Sequence, residues 1–215
     1  MRNPVKSTLT RLLLALVGCG ALLAGCATEK KGPSGATFDF GPASMAAAPQ
    51  VARPALPASA GAVVVTDVTG SAALDNERMY YRLLYADPLK ALSYSSSRWS
   101  ATPLELVTQR LKTRIAQSGS KVLTPTDASA GVTIMRTEID DFTHTFDSAA
   151  QSHGQVALRV SLFQGNKLID QRTFSRKTAA GSPDAAGGAR ALAASTDAIA
   201  ADIVAWMAAL PPRQQ

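Results

Sequence analysis

The clearest alternation of apolar and polar positions lies at residues 155–163. Such a period of two is typical of a strand with one buried face. The tetrapeptide Gln-Gly-Asn-Lys follows at residues 164–167, and residues 168–175 have strand composition again. A short turn of this kind joins antiparallel strands. We therefore predict a β-hairpin over residues 155–175.

Other segments also have strand composition. Residues 61–68 are rich in valine, as expected of a buried strand. Residues 78–85 and 90–95 flank an Asp-Pro pair that predicts a turn. Further strands are predicted at residues 121–123 and 132–142.

A helix is predicted after Thr102, where several start signals agree. Thr102 suits the N-cap, Pro103 suits the first helical position, and Glu105 completes a capping box. Apolar residues then follow at helical spacing, namely Leu104, Val107, Leu111 and Ile115. The pair at 118–119, Ser-Gly, predicts the end of this helix.

A second helix is predicted from residue 185 to the proline pair at 211–212. Its apolar stripe consists of Leu192, Ile199, Ile203, Trp206 and Leu210. The order of elements predicts an α+β fold in a single domain, 61–210. We expect a mostly antiparallel sheet with a central amphipathic helix and a C-terminal helix.

Residues 26–60 precede this domain. Within them, residues 37–42 alternate aromatic and polar side chains and end in Gly-Pro, which predicts a short first strand. Residues 43–60 are rich in alanine and proline and almost uncharged. Prolines oppose both helix and ladder pairing, so we predict a semi-extended tether there.

The N-terminus has the pattern of a secretory signal peptide over residues 1–25. Three basic residues precede an apolar run of about 14 residues, at 12–25. A membrane-spanning helix needs roughly 20 residues, so the run suits a signal better than an anchor. We expect no later segment to span a bilayer.

Charge excludes one class of partner. The net charge is +6, but 19 basic and 16 acidic residues remain from residue 26 onward. No basic stretch is interleaved with aromatic residues. The sequence therefore gives no support to nucleic-acid binding.

Both cysteines, Cys19 and Cys26, follow a Leu-x-Gly tripeptide. The second tetrapeptide, Leu-Ala-Gly-Cys, resembles the lipobox of bacterial lipoproteins, whose cysteine is acylated and becomes the mature N-terminus. Cleavage before Cys19 leaves an apolar region of only about seven residues, at the lower limit for a signal. Cleavage before Cys26 uses the whole apolar run, which favours Cys26 as the lipidated residue. An ordinary signal peptide that contains two cysteines is the alternative.

The lipobox resemblance also implies a location. A processed lipoprotein carries three acyl chains, palmitate among them, and two or more chains hold a protein stably on a membrane. In that class, aspartate after the cysteine favours retention in the inner membrane. The residue here is Ala27. The resemblance therefore implies the periplasmic face of the outer membrane.

Residues 78–111 resemble the signature region of the ABC-type transport auxiliary lipoproteins, the PqiC-like family. That pattern is a strand-rich stretch with an Arg-Trp pair, a polar step with a proline, and a leucine-rich helix. The pair here is Arg98-Trp99, and the proline is Pro103. The resemblance extends over about residues 37–210.

Membership implies a non-enzymatic role at the outer membrane. Such proteins work with ABC transporter components and an MCE-type periplasmic protein, which move phospholipids or other apolar molecules. A structural or assembly lipoprotein of the envelope, without a direct transport role, is the alternative. The cargo, the direction of transport and a homo-oligomeric state stay open.

Three residues near the signature are candidates for partner binding. Tryptophan and arginine are enriched at interface hot spots, which points to Arg98 and Trp99. Tyr94 belongs to a tyrosine-rich stretch beside them. The alternative is that Trp99 packs in the core, that Arg98 is solvated, and that the tyrosines are half-buried packing residues.

Catalytic and metal sites are not expected. Four potential ligands stand close together in the sequence: Asp140, Asp141, His144 and Asp147. We predict a polar hairpin loop over residues 143–154, which offers little support for a metal. The sequence has neither a Gly-x-Ser-x-Gly elbow nor a glycine-rich phosphate loop. We therefore expect no cofactor, no metal and no enzymatic activity.

Overall fold

The computed structural model of the chain describes residues 35–43, 61–127 and 131–210. The predicted signal peptide, Cys26 and most of the predicted tether lie outside the described residues.

The described residues form nine strands and two α-helices. In chain order they are β1 Ala36–Phe38, β2 Val63–Val65, β3 Thr69–Gly70, β4 Arg78–Leu83, β5 Asp87–Trp99, α1 Pro103–Gln117, β6 Val122–Leu123, β7 Thr133–Phe146, β8 Ser152–Gln164, β9 Lys167–Ala179 and α2 Ala185–Ala209. The predicted α+β class, with a central and a C-terminal helix, is confirmed.

The nine strands form one mixed sheet. Its long ladders, β4–β5, β7–β8 and β8–β9, are antiparallel. The short strands β1, β2, β3 and β6 join it through parallel pairs, and β4 also runs parallel to β7. The antiparallel hairpins therefore supply most of the paired residues.

The predicted hairpin at 155–175 is confirmed, although both strands are longer than predicted. Gly165 lies in its turn with φ +58°, a conformation that glycine adopts without strain. The inward apolar side chains of β8 are at most 1% exposed, namely Val156, Leu158, Val160 and Leu162. The alternation of apolar and polar residues along β8 thus corresponds to one buried face of the strand.

The polar loop predicted at 143–154 is wrong in extent. β7 continues to Phe146 and β8 begins at Ser152, so only residues 147–151 form the turn. His144 and His153 belong to paired strands and are buried. Their polar character favoured a loop, because local sequence does not show that α2 packs on these strands.

The capping box of α1 is confirmed. The Thr102 hydroxyl accepts a hydrogen bond from the Glu105 amide at 3.2 Å, and the Glu105 carboxylate accepts one from the Thr102 amide at 3.0 Å. Val107, Leu111 and Ile115 are fully buried. The predicted apolar stripe therefore faces the core.

Helix α2 begins at Asp184, whose carboxylate accepts a hydrogen bond from the Gly187 amide at 2.7 Å. It packs on β7, β8, β9 and α1. By length and composition alone it satisfies the criteria for a membrane span, contrary to our expectation. Its apolar stripe is buried in the core, with Ile199 and Ile203 fully covered.

The first strand spans Ala36–Phe38, shorter than the predicted 37–42. It pairs with β5 in parallel, with Ala36 beside Ser97 and Phe38 beside Trp99. The segment before the predicted tether thus contributes a strand to the sheet of the folded domain.

Candidate functional site

Strand β5 positions all three candidate partner-binding residues. Its pairing with β4 is interrupted between Ser93 and Arg98, where five steps on β5 oppose two on β4, from Tyr80 to Arg78. Tyr94 lies in this bulge, which changes the direction in which the side chain points. The three candidates therefore face different environments.

Trp99 lies in the core and is 1% exposed. Its indole meets Phe40 edge-on, with ring centroids 5.8 Å apart, and Phe142 at 5.7 Å. The backbone amide of Trp99 donates a hydrogen bond to the Glu77 carbonyl at 2.8 Å. The burial agrees with the core interpretation of this residue.

Arg98, by contrast, presents its side chain to solvent, with 68% of it exposed. Its guanidinium is 3.9 Å from the Glu77 carboxylate, and Arg78 lies directly opposite on β4. Like charges that face each other across a ladder oppose pairing. Of the three candidates, Arg98 is the one whose side chain is exposed enough to contact another molecule.

Tyr94 is half-buried, and its hydroxyl lies 2.8 Å from Nδ1 of His144. Its ring packs on Tyr81, with centroids 4.6 Å apart. Burial, with a smaller effect from Tyr81, raises the pKa of Tyr94 above its ordinary value. The phenol therefore stays protonated, and its hydroxyl forms a hydrogen bond with Nδ1 of His144.

His144 is fully buried beneath α2. Burial, together with the nearby His153, lowers its pKa to about 4. The imidazole is therefore neutral at neutral pH. Its Nε2 has no hydrogen-bond partner among the described residues. The pair with Tyr94 is thus a buried polar contact of the core.

The structure also brings together residues that sequence patterns did not connect. We call Phe40, Trp99, Arg110 and Phe142 the β1 cluster. Arg110 is 5% exposed although it lies off the apolar stripe of α1. Its guanidinium donates to the carbonyls of Phe40 and Gly41, the latter at 3.1 Å, and packs over the Phe40 ring.

The carboxylate of Asp197 in α2 forms an ion pair with the guanidinium of Arg110. The Arg110 Nε lies 3.5 Å from this carboxylate, and the Arg114 Nε lies 2.7 Å from the same oxygen. One carboxylate therefore links both helices to the segment after β1. No local sequence pattern predicts this contact, because residues 40, 110 and 197 are far apart in sequence.

The β1 cluster fixes the point at which the N-terminal segment joins the fold. The Ser100 amide donates to the Phe38 carbonyl at 2.8 Å, which extends the β1–β5 contact. The aromatic and cationic side chains of the cluster then cover Phe40. Residues 38–41 are thus joined to the sheet and, through Arg110 and Asp197, to both helices.

An open cleft of about 590 Å³ lies between β9 and α2. Phe174 and Trp206 form its apolar floor, with ring centroids 5.5 Å apart. Arg172 lies over the Trp206 ring, and Arg176 forms an ion pair with Asp202 at the rim. Its charged rim differs from the apolar lining expected of a lipid pocket.

Two solved structures share the fold. One is a protein of the DUF330 family from Xanthomonas campestris, with a TM-score of 0.63 and 17% identity over 72% of this chain and 87% of the other. The second, described as an uncharacterized protein, has a TM-score of 0.62 and 12% identity over 81% of this chain and 99% of the other. These likenesses establish the fold. A comparison with curated proteins finds no significant match.

The family is established by the sequence itself. The model of the ABC-type transport auxiliary lipoprotein component matches residues 44–204, about three quarters of the chain. DUF330 proteins belong to the same family, in agreement with the shared fold. The chain therefore belongs to the ABC-type transport auxiliary lipoprotein family.

Proposed function

We propose that this chain is a periplasmic lipoprotein, anchored in the outer membrane through Cys26, that serves as a non-enzymatic auxiliary component of an ABC transporter. In this proposal it works with an MCE-type protein, and the system moves phospholipids or other apolar molecules. The observation that carries the proposal is the family match over residues 44–204. The lipobox-like sequence before Cys26 supports the anchor.

The β1 cluster supports a tethered mode of action. Strand β1 begins ten residues after Cys26, and Arg110 and Trp99 contact Phe40, two residues after the end of β1. The folded domain thus includes residues 36–40, which precede the predicted tether. It is therefore suited to stay at a membrane while its other surfaces meet transport components.

Affinity capture tests the proposal. A C-terminally tagged full chain is expressed in its own envelope, treated with a short cross-linker, and purified. We expect recovery of an MCE-type protein together with the permease or the ATPase. A Cys26→Ser bait at matched abundance should recover much less, since it lacks the anchor. A lipidated bait that repeatedly recovers no transport component would count against the proposal.

A structural or assembly role is the second candidate. It is favoured by the charged rim of the cleft between β9 and α2, which suits a macromolecular contact better than a lipid. Depletion of the protein separates the two roles. Loss of another envelope component from the membrane indicates assembly, whereas altered lipid distribution at unchanged component abundance indicates transport.

A further inference from the structure

Three large apolar side chains are exposed on one turn of the sheet. Leu84 is 42% exposed, Tyr85 54% and Leu89 88%. They lie in residues 84–89, the turn after β4 together with the first three residues of β5, which we call the hairpin tip. Apolar side chains gathered in one place on a surface mark a site that another molecule covers.

The hairpin tip has a fixed shape. The Leu89 amide donates to the Asp87 carboxylate at 3.0 Å. Arg82 donates from one guanidinium nitrogen to the carbonyls of Pro88 and Leu89, at 3.3 and 3.1 Å. The side chains are therefore displayed by an ordered turn, which lowers the entropic cost of binding.

The N-terminal end of β1 is the end that is nearer the hairpin tip. β1 runs parallel to β5, with Ala36 beside Ser97. Since β5 starts at the hairpin tip and runs away from it, Gly35 lies at the end of β1 that is nearer the hairpin tip. A Cβ built on Gly35 would lie 3.3 Å from the Ser96 carbonyl oxygen. Gly35 is therefore next to Ser96, as the parallel pairing of Ala36 with Ser97 requires.

Covalent reach agrees with this direction. Nine residue steps separate Cys26 from Gly35, which span at most about 30 Å. On β4, five steps separate Arg78, which pairs with Arg98, from Leu83 at the hairpin tip. They correspond to about 17 Å along the strand. The segment is thus long enough for Cys26 and the hairpin tip to reach one surface together.

We propose that the hairpin tip inserts into the surface of the membrane that holds lipidated Cys26. This inference rests on the lipid anchor of the proposed function. Leucine side chains bury in the acyl boundary of a bilayer, and tyrosine favours its interface with water. Lys90, exposed beside the tip, can extend its ammonium group to lipid phosphates.

A bilayer fits the hairpin tip better than a protein partner does. A specific protein interface buries about 800 Å² on each partner, more than three side chains of one turn supply. A membrane surface needs no complementary shape, and the anchor already holds it nearby. The contact therefore acts as a second attachment that sets the orientation of the domain.

The orientation has a defined consequence for the opposite end of the sheet. The β7–β8 ladder runs from the pair Phe146–Ser152, near the hairpin tip, to the pair Thr133–Gln164. The turn between β8 and β9 follows Gln164. This end, with the exposed Leu168, therefore points away from the membrane.

Tryptophan fluorescence tests the inference on the full chain. Tyr85→Trp is expressed with its anchor, purified in detergent and reconstituted into phospholipid vesicles with or without brominated acyl chains. Leu168→Trp is the matched control, because Leu168 is 48% exposed at the opposite end. The native Trp99 and Trp206 are 1% and 4% exposed and form a constant background.

We expect the emission of Tyr85→Trp to shift to shorter wavelength and to be quenched by brominated lipid, and the control to show neither effect. Flotation of the vesicles is measured on the same samples. Protein that floats without quenching at position 85 overturns the inference and leaves the anchor intact. A wavelength shift without quenching also overturns it, because a protein surface then covers the tip. Protein that does not float contradicts the lipid anchor, and the inference falls with it.

Discussion

The indole of Trp99 meets the ring of Phe40 edge-on, at an interplanar angle of 90° and a centroid distance of 5.8 Å. This contact joins the last residue of β5 to the segment that follows β1. Edge-to-face pairs add about 0.5–1.5 kcal/mol beyond the area that they bury. The two residues of the Arg-Trp signature pair therefore have different roles: Trp99 packs in the core, whereas the side chain of Arg98 is exposed to solvent.

Trp99→Ala should lower the free energy of unfolding by about 3–5 kcal/mol, as expected for a large core side chain replaced by alanine. Arg98→Ala is the neighbouring control and should change it by no more than about 0.5 kcal/mol, since its side chain is mostly exposed. Urea denaturation of both variants measures the difference. Equal losses would contradict the division of roles.

Asp197→Asn tests the ion cluster that links both helices to β1. The change leaves Arg110, which is 5% exposed, without its acidic partner, so we expect a loss of about 2–4 kcal/mol. Asp202→Asn on the same helix is the control, because its pair with Arg176 is largely solvated. The control should lose at most about 1 kcal/mol. Denaturant titration compares the two, and an equal effect would show that Arg110 does not depend on Asp197.

His144 predicts a pH dependence of stability. Its pKa is lowered from 6.5 to about 4 by burial, so below pH 6.5 the unfolded chain binds a proton that the folded chain refuses. The contribution of His144 to the free energy of unfolding is therefore fully present above about pH 6.5 and is lost as the pH falls toward 4. The loss is on the order of 2–3 kcal/mol. Chemical denaturation between pH 7.5 and 4.5 measures it.

Two variants test whether His144 causes this pH dependence of the free energy of unfolding. His144→Phe should flatten the stability profile between pH 6.5 and 4, because the titrating group is gone. Tyr94→Phe removes the hydroxyl that lies 2.8 Å from Nδ1, yet keeps the imidazole. It should lose about 0.5–1.5 kcal/mol and retain the slope. A profile for His144→Phe that matches the unmodified protein would assign the slope to other groups.

Gly154 and Gly181 form a matched pair for the packing of α2 on β8. A Cβ at Gly154 would lie 2.6 Å from the Leu192 nitrogen and 2.7 Å from the Ala191 carbonyl carbon, whereas Gly181 has open space. Gly154→Ala should therefore lower the free energy of unfolding by about 1–3 kcal/mol. Gly181→Ala should be close to neutral. Thermal denaturation compares them, and a neutral Gly154→Ala would mean that helix and sheet separate easily.

Local sequence signals predicted the elements that depend on local physics. The capping box at Thr102 and Glu105 lies within one turn of a helix, and the predicted hairpin turn at 164–167 needs only its own residues. Both follow from short-range rules, so both were visible in the sequence. The α+β class followed from the order of these elements.

The long-range contacts were not visible in this way. Polarity at His144 and His153 favoured a loop, because a single sequence does not show that α2 covers these strands. Each of the two irregularities in the β4–β5 ladder places five steps of β5 against two of β4, which no period of two describes. The burial of Arg110 was not predictable for the same reason, since its partners Phe40 and Asp197 are distant in sequence.

The two cysteines give the last prediction, on the proposed anchor. Cys26→Ser should abolish incorporation of radiolabelled lipid and release or misprocess the protein, because no other thiol follows the signal peptide. Cys19→Ser is the control and should be labelled and cleaved normally, since Cys19 is removed with the apolar run. Label that survives in Cys26→Ser and disappears in Cys19→Ser would move the anchor to Cys19. The segment before Gly35 would then gain seven residues, and its covalent reach would rise by about 23–25 Å.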